Sequence, residues 1–207
     1  MIGIFGGSFD PPHCGHQALV RAGLALLHLE QVWVVPALPV HRQLSGCADA
    51  DTRLRWLQAM FAGDARIRAV DWEIRRARPT ASVETLREFR LHMPDSIPWL
   101  MLGADAWAGL ESWREYPEHL GLCNIAVFAR QGVVTASLPD WRPVGIERAG
   151  DCESAGHVVF VETDLPEVSA SGIRDACSLG LPLNGMIPGS IEAEVRQQYC
   201  TRVNGGG

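Results

Sequence analysis

Two histidines stand three residues apart in the stretch Gly6–His16, "GGSFDPPHCGH". A turn needs a Gly or a Pro, but it has no use for two imidazoles at that spacing. Where such a segment opens a helix, His13 and His16 lie one turn apart on one face. Gly6 and Gly7 let backbone N–H groups approach an anion, and a helix N-terminus adds the positive end of its dipole. The chemistry this suits is the holding of a phosphate, with both imidazoles donating to phosphoryl oxygens. The pattern is neither G-x-G-x-x-G nor the lysine-bearing P-loop. Zinc is a poorer reading of His13, Cys14 and His16, because no partner ligands stand at usable spacing elsewhere in the chain.

Such a loop needs a strand before it and a helix after it. "MIGIF" reads as a buried strand and Gly15–Glu30 as a helix, with Leu19, Val20, Gly23, Leu24 and Leu27 at three- and four-residue spacing. Gln31–Pro36 reads as a second strand. "DTRLRWLQAMF" reads as a helix, with Asp51 or Thr52 as N-cap and Leu54, Leu57 and Phe61 on one face. Ile67–Trp72, Trp99–Gly103, Asn124–Ala129 and His157–Glu162 read as further strands. Ser82–Met93 reads as a helix with half a capping box, and another helical segment lies between the strands at Trp99 and Asn124. Two helices close the chain, from about Ser171 and from Ser190, the second with Ile191, Val195 and Tyr199 on a stripe.

Alternating strands and helices predict an α/β fold, a Rossmann-like, doubly wound and mostly parallel sheet. Ligands of such sheets bind beyond the carboxyl ends of strands, where the strand order reverses, and the first βα loop lies there. There is no internal repeat. Residues 131–156, rich in Gly, Pro, Ser and Arg, read as a surface insertion in a single domain spanning 1–203, with 204–207 a flexible tail.

Composition narrows the class. The 207 residues are 47% hydrophobic and 20% charged, which is ordinary for a globular chain. A net charge of −6 argues against a general nucleic-acid binder, which needs a basic face. The longest apolar stretch, Val32–Val40, carries two prolines and is too short to cross a bilayer. No basic segment precedes an apolar run at the start, so the expectation is a cytoplasmic protein without a signal peptide or membrane partner. The six cysteines form no C-x-x-C and are expected as thiols. Trp33 and Trp99 are expected in the core, Asp71 and Glu73 as surface charges, and His28, His92, His119 and His157 as structural.

"GGSFDPPHCGH" resembles the G-x-F-D-P-x-H-x-G-H signature of the nucleotidyltransferase superfamily, whose loop binds ATP phosphates. The resemblance implies ATP contacts from Gly6, Gly7, Ser8, Phe9, His13 and His16. It also implies a second motif, I-S-S-T-x-I-R, which "VSASGIR" (Val168–Arg174) resembles with Ala170 and Ser171 as departures. Ser169 and Ser171 suit a helix cap and phosphate contacts. Ile173 belongs to the same motif, and Arg174 would offer the triphosphate a planar, bidentate cation.

Within the superfamily, the chain resembles bacterial nicotinate-nucleotide adenylyltransferases from about Ile2 to Tyr199. "VPALPVHR" is similar to their P-x-x-x-P-P-H-[KR] segment, which implies mononucleotide contacts from His41 and Arg42. "PTASVETL" stands for P-S-Y-T-x-D-T-L and implies contacts from Ser82 and Thr85. "LGADAW" implies a ribose contact at Gly103 and Asp105, and "ESWREY" implies that Trp113 stacks on the pyridine ring. The implied partners are ATP and nicotinate mononucleotide, with Mg²⁺ as cofactor held mainly through phosphates and no metal site of the chain's own. His13, His16 and Arg174 would be the catalytic groups. Transfer to nicotinamide mononucleotide or pantetheine phosphate, and a non-catalytic nucleotide-binding regulator, are the competing readings. A homo-oligomer is compatible with the sequence.

Overall fold

Ile2–Gly7 (β1) is enclosed over its first four residues, as a central strand covered on both faces must be. It pairs in parallel with Gln31–Pro36 (β2) on one side and Trp99–Gly103 (β4) on the other. Outside β2 lies Ile67–Ala69 (β3). Outside β4 lie Asn124–Ala129 (β5), then His157–Glu162 (β7), then the edge strand Arg142–Pro143 (β6). The computed structural model describes residues 1–38, 48–130, 132 and 138–200. Among these, the sheet has seven strands in the order β3-β2-β1-β4-β5-β7-β6, every pair parallel. The order reverses between β1 and β4, so the crevice at their carboxyl ends is the site such a sheet offers a ligand.

Alternate residues of β1 face opposite layers. Phe5 joins a cluster with Leu19, Val20, Val34 and Leu57, under Cys14–Leu26 (α1) and Ala50–Phe61 (α2). Ile2 and Ile4 join another with Trp33, Leu86, Phe89 and Trp107. That layer is built from Trp72–Arg75 (α3), Ser82–His92 (α4), Ala104–Ala108 (α5) and Tyr116–Leu122 (α6). A third cluster joins Trp56 of α2 to Ala170–Ser178 (α7) and Glu192–Cys200 (α8), where Ile191, Val195 and Tyr199 are all buried. No helix among the described residues is long and apolar enough to cross a membrane.

Several boundaries differ from the expected ones. Helix α1 stops at Leu26, and His28 follows at φ +51°, a left-handed residue that turns the chain toward β2. Asp49, not Asp51 or Thr52, caps α2 by accepting the Thr52 N–H at 2.8 Å. The buried face of α2 runs through Arg53, Trp56, Leu57, Met60 and Phe61, with Leu54 only half-buried. Strand β3 ends at Ala69, because Trp72 opens α3 and packs edge-on against Trp33. In the 131–156 stretch the described residues do more than lie on the surface. They supply β6, and Trp141 is enclosed, its indole N–H donating to the Tyr116 hydroxyl at 3.2 Å. Cys177 and Cys200, expected as thiols, are bonded and tie α7 to α8; both side chains meet in the third cluster. Glu73, expected on the surface, is 5% exposed.

Candidate active site

The first loop leaves β1 at the switch point. A Cβ placed on Gly6 would meet nothing within 4 Å, so the strand ends in open space. One placed on Gly15 would lie 3.1 Å from the His13 ring and 3.6 Å from the Pro166 carbonyl oxygen, so only glycine leaves the ring its position. Phe9 holds φ +47°, unusual for a bulky residue and a strain of about 1–3 kcal/mol. Its ring is buried, and packs against Phe5 and against His16 at 4.8 Å. The side chain of Phe9 therefore supports the loop and does not face a ligand.

His13 caps α1, and its backbone N–H donates to His16 Nδ1 at 3.2 Å. That bond makes Nδ1 the bare nitrogen of neutral His16, so Nε2 carries the proton and is a donor. The two rings stack with centroids 3.6 Å apart. Burial pushes the His13 pKa down to about 4. Burial, then the proximity of His13, holds His16 well below the ordinary imidazole range. Both are thus neutral hydrogen-bonding groups, not cations. His13 Nδ1 is enclosed and has no partner.

A second helix N-terminus meets the first. Ser169 caps α7 by accepting the Gly172 N–H at 3.1 Å and lies 3.2 Å from Ser171 Oγ. Ser169 and Ser171 are exposed, Arg174 is half-buried and Ile173 is fully enclosed, so Ile173 packs the helix and makes no outward contact. Arg174 Nη1 donates to the Asp10 carbonyl at 2.5 Å and stands 3.9 Å from Asp10 Oδ2, which fastens the two motifs together across 164 residues. The Cys14 N–H is taken by the Met186 carbonyl at 2.9 Å. The amide of Gly15 in α1, and those of Ala170 and Ser171 in α7, have no acceptor within their helices. Two positive helix ends and a guanidinium thus meet beside the loop that follows β1, with a neutral imidazole donor in the first turn of α1, an arrangement suited to a polyphosphate.

Arg53 was not legible as a site residue. It is 5% exposed, and Nη1 donates to the carbonyls of Ser8 and, at 2.9 Å, of Ala37. It ties the loop after β1 to the segment after β2. The signal was present only as a cation on the apolar face of a helix.

The other side of the crevice holds the remaining expected residues. Gly103 ends β4 with open space over its Cα, and Asp105 is exposed in the first turn of α5 without capping Gly103. Of the seven tryptophans, Trp113 alone is not buried. It meets His119 edge-on at 6.0 Å. His119 Nδ1 lies 3.0 Å from the Tyr116 carbonyl and Nε2 lies 2.8 Å from Ser82 Oγ. Ser82 and Trp113 are therefore brought together through an enclosed histidine that sequence reading leaves as structural. Thr85 is turned away: it is buried and its hydroxyl donates to Glu73 Oε1 at 2.7 Å. Glu73 also accepts from the Leu38 N–H, and its carboxyl is raised above the ordinary range, by burial first. It joins the end of the β2 loop to α4. Arg114 stands 3.9 Å from Glu84, so its charge is partly matched. His41 and Arg42 lie outside the described residues.

Comparison with known proteins agrees with this geometry. The cytidylyltransferase-like family profile matches residues 4–176. A protein of Chromobacterium violaceum named "Probable nicotinate-nucleotide adenylyltransferase" is 33% identical over 97% of this chain and 98% of its own. One of the same name from Thermotoga maritima is 30% identical over 96% and 92%. The structure of Plasmodium falciparum nicotinic acid mononucleotide adenylyltransferase complexed with NaAD matches with a TM-score of 0.72, covering 97% of this chain and 95% of that one at 16% identity, a likeness of fold. The paired helix ends at the switch point, and relatedness along nearly the whole chain, place it in the cytidylyltransferase-like family, among the nicotinate-nucleotide adenylyltransferases.

Proposed function

We propose that the chain transfers the adenylyl group of ATP to nicotinate mononucleotide, giving nicotinic acid adenine dinucleotide and pyrophosphate on the route to NAD. The observation that carries this reading is the bond from Arg174 of α7 to the Asp10 carbonyl in the loop that opens α1, the helix whose first turn holds His16 with Nε2 protonated. The acceptor phosphate is anionic at neutral pH, so the reaction needs no general base and no covalent intermediate. It needs in-line placement and neutralisation of charge on the departing pyrophosphate. His16 donates from Nε2 to a phosphate oxygen. Arg174 supplies the fixed positive charge, and the open amides at the starts of α1 and α7 supply the rest. His13, stacked on His16, holds its ring orientation.

Among the described residues no group of three or more His, Cys, Asp or Glu forms a metal cage. The donors present suit a Mg²⁺ ion riding on the phosphates of ATP, where it would screen their charge. Gly103 and Asp105 fit a ribose at the mouth of β4, and the half-buried Trp113 fits a pyridine ring. The Ser82 hydroxyl proton is engaged by His119, so an acid group on that ring would meet the Ser82 and Val83 backbone amides at the start of α4. Charge-assisted bonds of that kind favour the acid over the amide by about 1.5–3 kcal/mol, roughly ten- to a hundredfold. The test is pyrophosphate release with ATP and either mononucleotide, compared as kcat/KM. No pyrophosphate with either would reject adenylyl transfer; equal values would reject only the preference for the acid.

A further inference from the structure

The loop that opens the chain is held from behind by its last helix. Tyr199 in α8 donates its phenol proton to Asp10 Oδ1 at 2.5 Å, across 189 residues. The same carboxylate oxygen accepts the Ala48 N–H at 3.0 Å, and the Tyr199 oxygen stands 3.3 Å from that amide. Asp10 is 5% exposed, and Oδ2 is enclosed without a hydrogen bond. Its carbonyl oxygen, meanwhile, holds Arg174. One residue thus meets α8 and the entry to α2 through its side chain, and the guanidinium through its backbone.

Tyr199 is itself firmly seated. Its ring is 9% exposed and 6.1 Å from the ring of Trp56, whose indole N–H donates to Glu194 at 3.0 Å. The Cys177–Cys200 bond holds the end of α8 to α7, the helix that carries Arg174. The Asp10 carboxylate therefore has a rigid donor on one side. Removing that donor leaves a buried anion short of a partner and frees the loop to shift against Arg174.

We propose that Tyr199 is a positioning residue for adenylyl transfer: through Asp10 it sets where the first loop stands relative to Arg174, and so the fit to the phosphates of ATP. It touches no substrate. The proposal rests on the reading of this crevice as an ATP site. It differs from a role in folding alone, which would lower stability and leave the affinity of the folded protein unchanged.

Tyr199→Phe keeps the ring and deletes the donor. ATP binding is measured by titration calorimetry, without a second substrate, on the full chain at a temperature where both proteins are folded. The expected result is a Kd for ATP weakened about three- to tenfold, with the KM for the mononucleotide within about twofold of wild type. Glu194→Ala, which breaks the neighbouring Trp56 contact and spares Asp10, serves as the control. It is expected to lower Tm by about as much as Tyr199→Phe and to leave the Kd for ATP unchanged. An unchanged Kd in Tyr199→Phe, or an equal weakening in both variants, overturns the proposal. Failure of the wild-type chain to bind ATP would instead overturn the reading of the crevice. ATP binding without pyrophosphate release would overturn only the assigned reaction.

Discussion

His119 accepts the hydroxyl proton of Ser82 at 2.8 Å, and its other nitrogen donates to the Tyr116 carbonyl at 3.0 Å. The tautomer is thereby assigned: Nδ1 carries the proton and Nε2 is bare. Burial holds the pKa of His119 below the ordinary value, which keeps it in this neutral form. Ser82 consequently turns lone pairs, not a proton, away from the imidazole, and Trp113 is braced against the same ring.

His119→Leu should raise the KM for the mononucleotide about three- to tenfold, as one hydrogen bond's worth of positioning is lost, and leave the KM for ATP unchanged. It should also cost about 1–3 kcal/mol of stability, because the Tyr116 carbonyl and the Ser82 hydroxyl lose their partner in a buried place. Steady-state kinetics in both substrates and urea unfolding check this. An unchanged mononucleotide KM would show that the Ser82 orientation has no part in the site.

His16→Ala removes the Nε2 donor, and kcat should fall about a hundredfold or more, the usual cost of one transition-state donor. The variant also loses the acceptor for the His13 N–H and the packing on Phe9, so it should unfold more easily by about 1 kcal/mol. Near-normal turnover in a folded His16→Ala protein would return the residue to a capping role.

Gly15→Ala separates helix stability from site geometry. Alanine in the first turn of α1 is the better helix former by about 0.5–1 kcal/mol. Its Cβ, however, would stand 3.1 Å from the His13 ring, which must give way and disturb the stacked pair. Expected are a Tm equal to or above that of wild type and a kcat reduced about tenfold or more. A fully active Gly15→Ala would show that the His13 ring can shift without cost to the site.

The buried histidines also set a pH dependence of stability. Folding lowers the His13 pKa from 6.5 to about 4, while the unfolded chain titrates near the ordinary value. Below pH 6.5 the unfolded state binds protons that the folded state refuses, so stability is full above 6.5 and declines as pH falls toward 4. His13 alone can account for up to about 3 kcal/mol of that loss. Urea unfolding at pH 7.5 and 5 should show the decline in wild type and a smaller one in His13→Gln. Parallel declines in the two proteins would remove His13 as its source.

Much of this was decided locally and could be read from the chain. The strands at Ile2, Gln31, Trp99, Asn124 and His157 follow from short apolar runs, all but the one at Trp99 carrying β-branched residues, and their alternation with helices implies a parallel sheet with its ligand at the switch point. The loop Gly6–His16 declares an anion site because glycine, imidazole and a helix start coincide within a few residues. Boundaries differed for two reasons: a local cap at Asp49, ahead of Asp51 and Thr52, starts α2, and Trp72 leaves its strand to pack on Trp33.

What only the tertiary structure decided involves residues distant in sequence. Glu73 reads as a surface charge until α4 and the β2 loop close over it, and Thr85 then turns inward to bond it. His119 comes to brace Ser82 and Trp113 only because α6 lies against α4. Tyr199 sits on a stripe that marks it as buried without saying what it holds, and Arg53 is not on the face read as buried, Leu54, Leu57 and Phe61. Their partners, the Ser8 and Ala37 carbonyls and the Asp10 carboxylate, are supplied by the crossing of β1, β2 and α8. The physical reason is the same in each case. A side chain's spacing reveals which face of its element it occupies, but a hydrogen-bond partner is chosen by whatever the fold places opposite, and the cost of leaving a buried polar group alone enforces that choice.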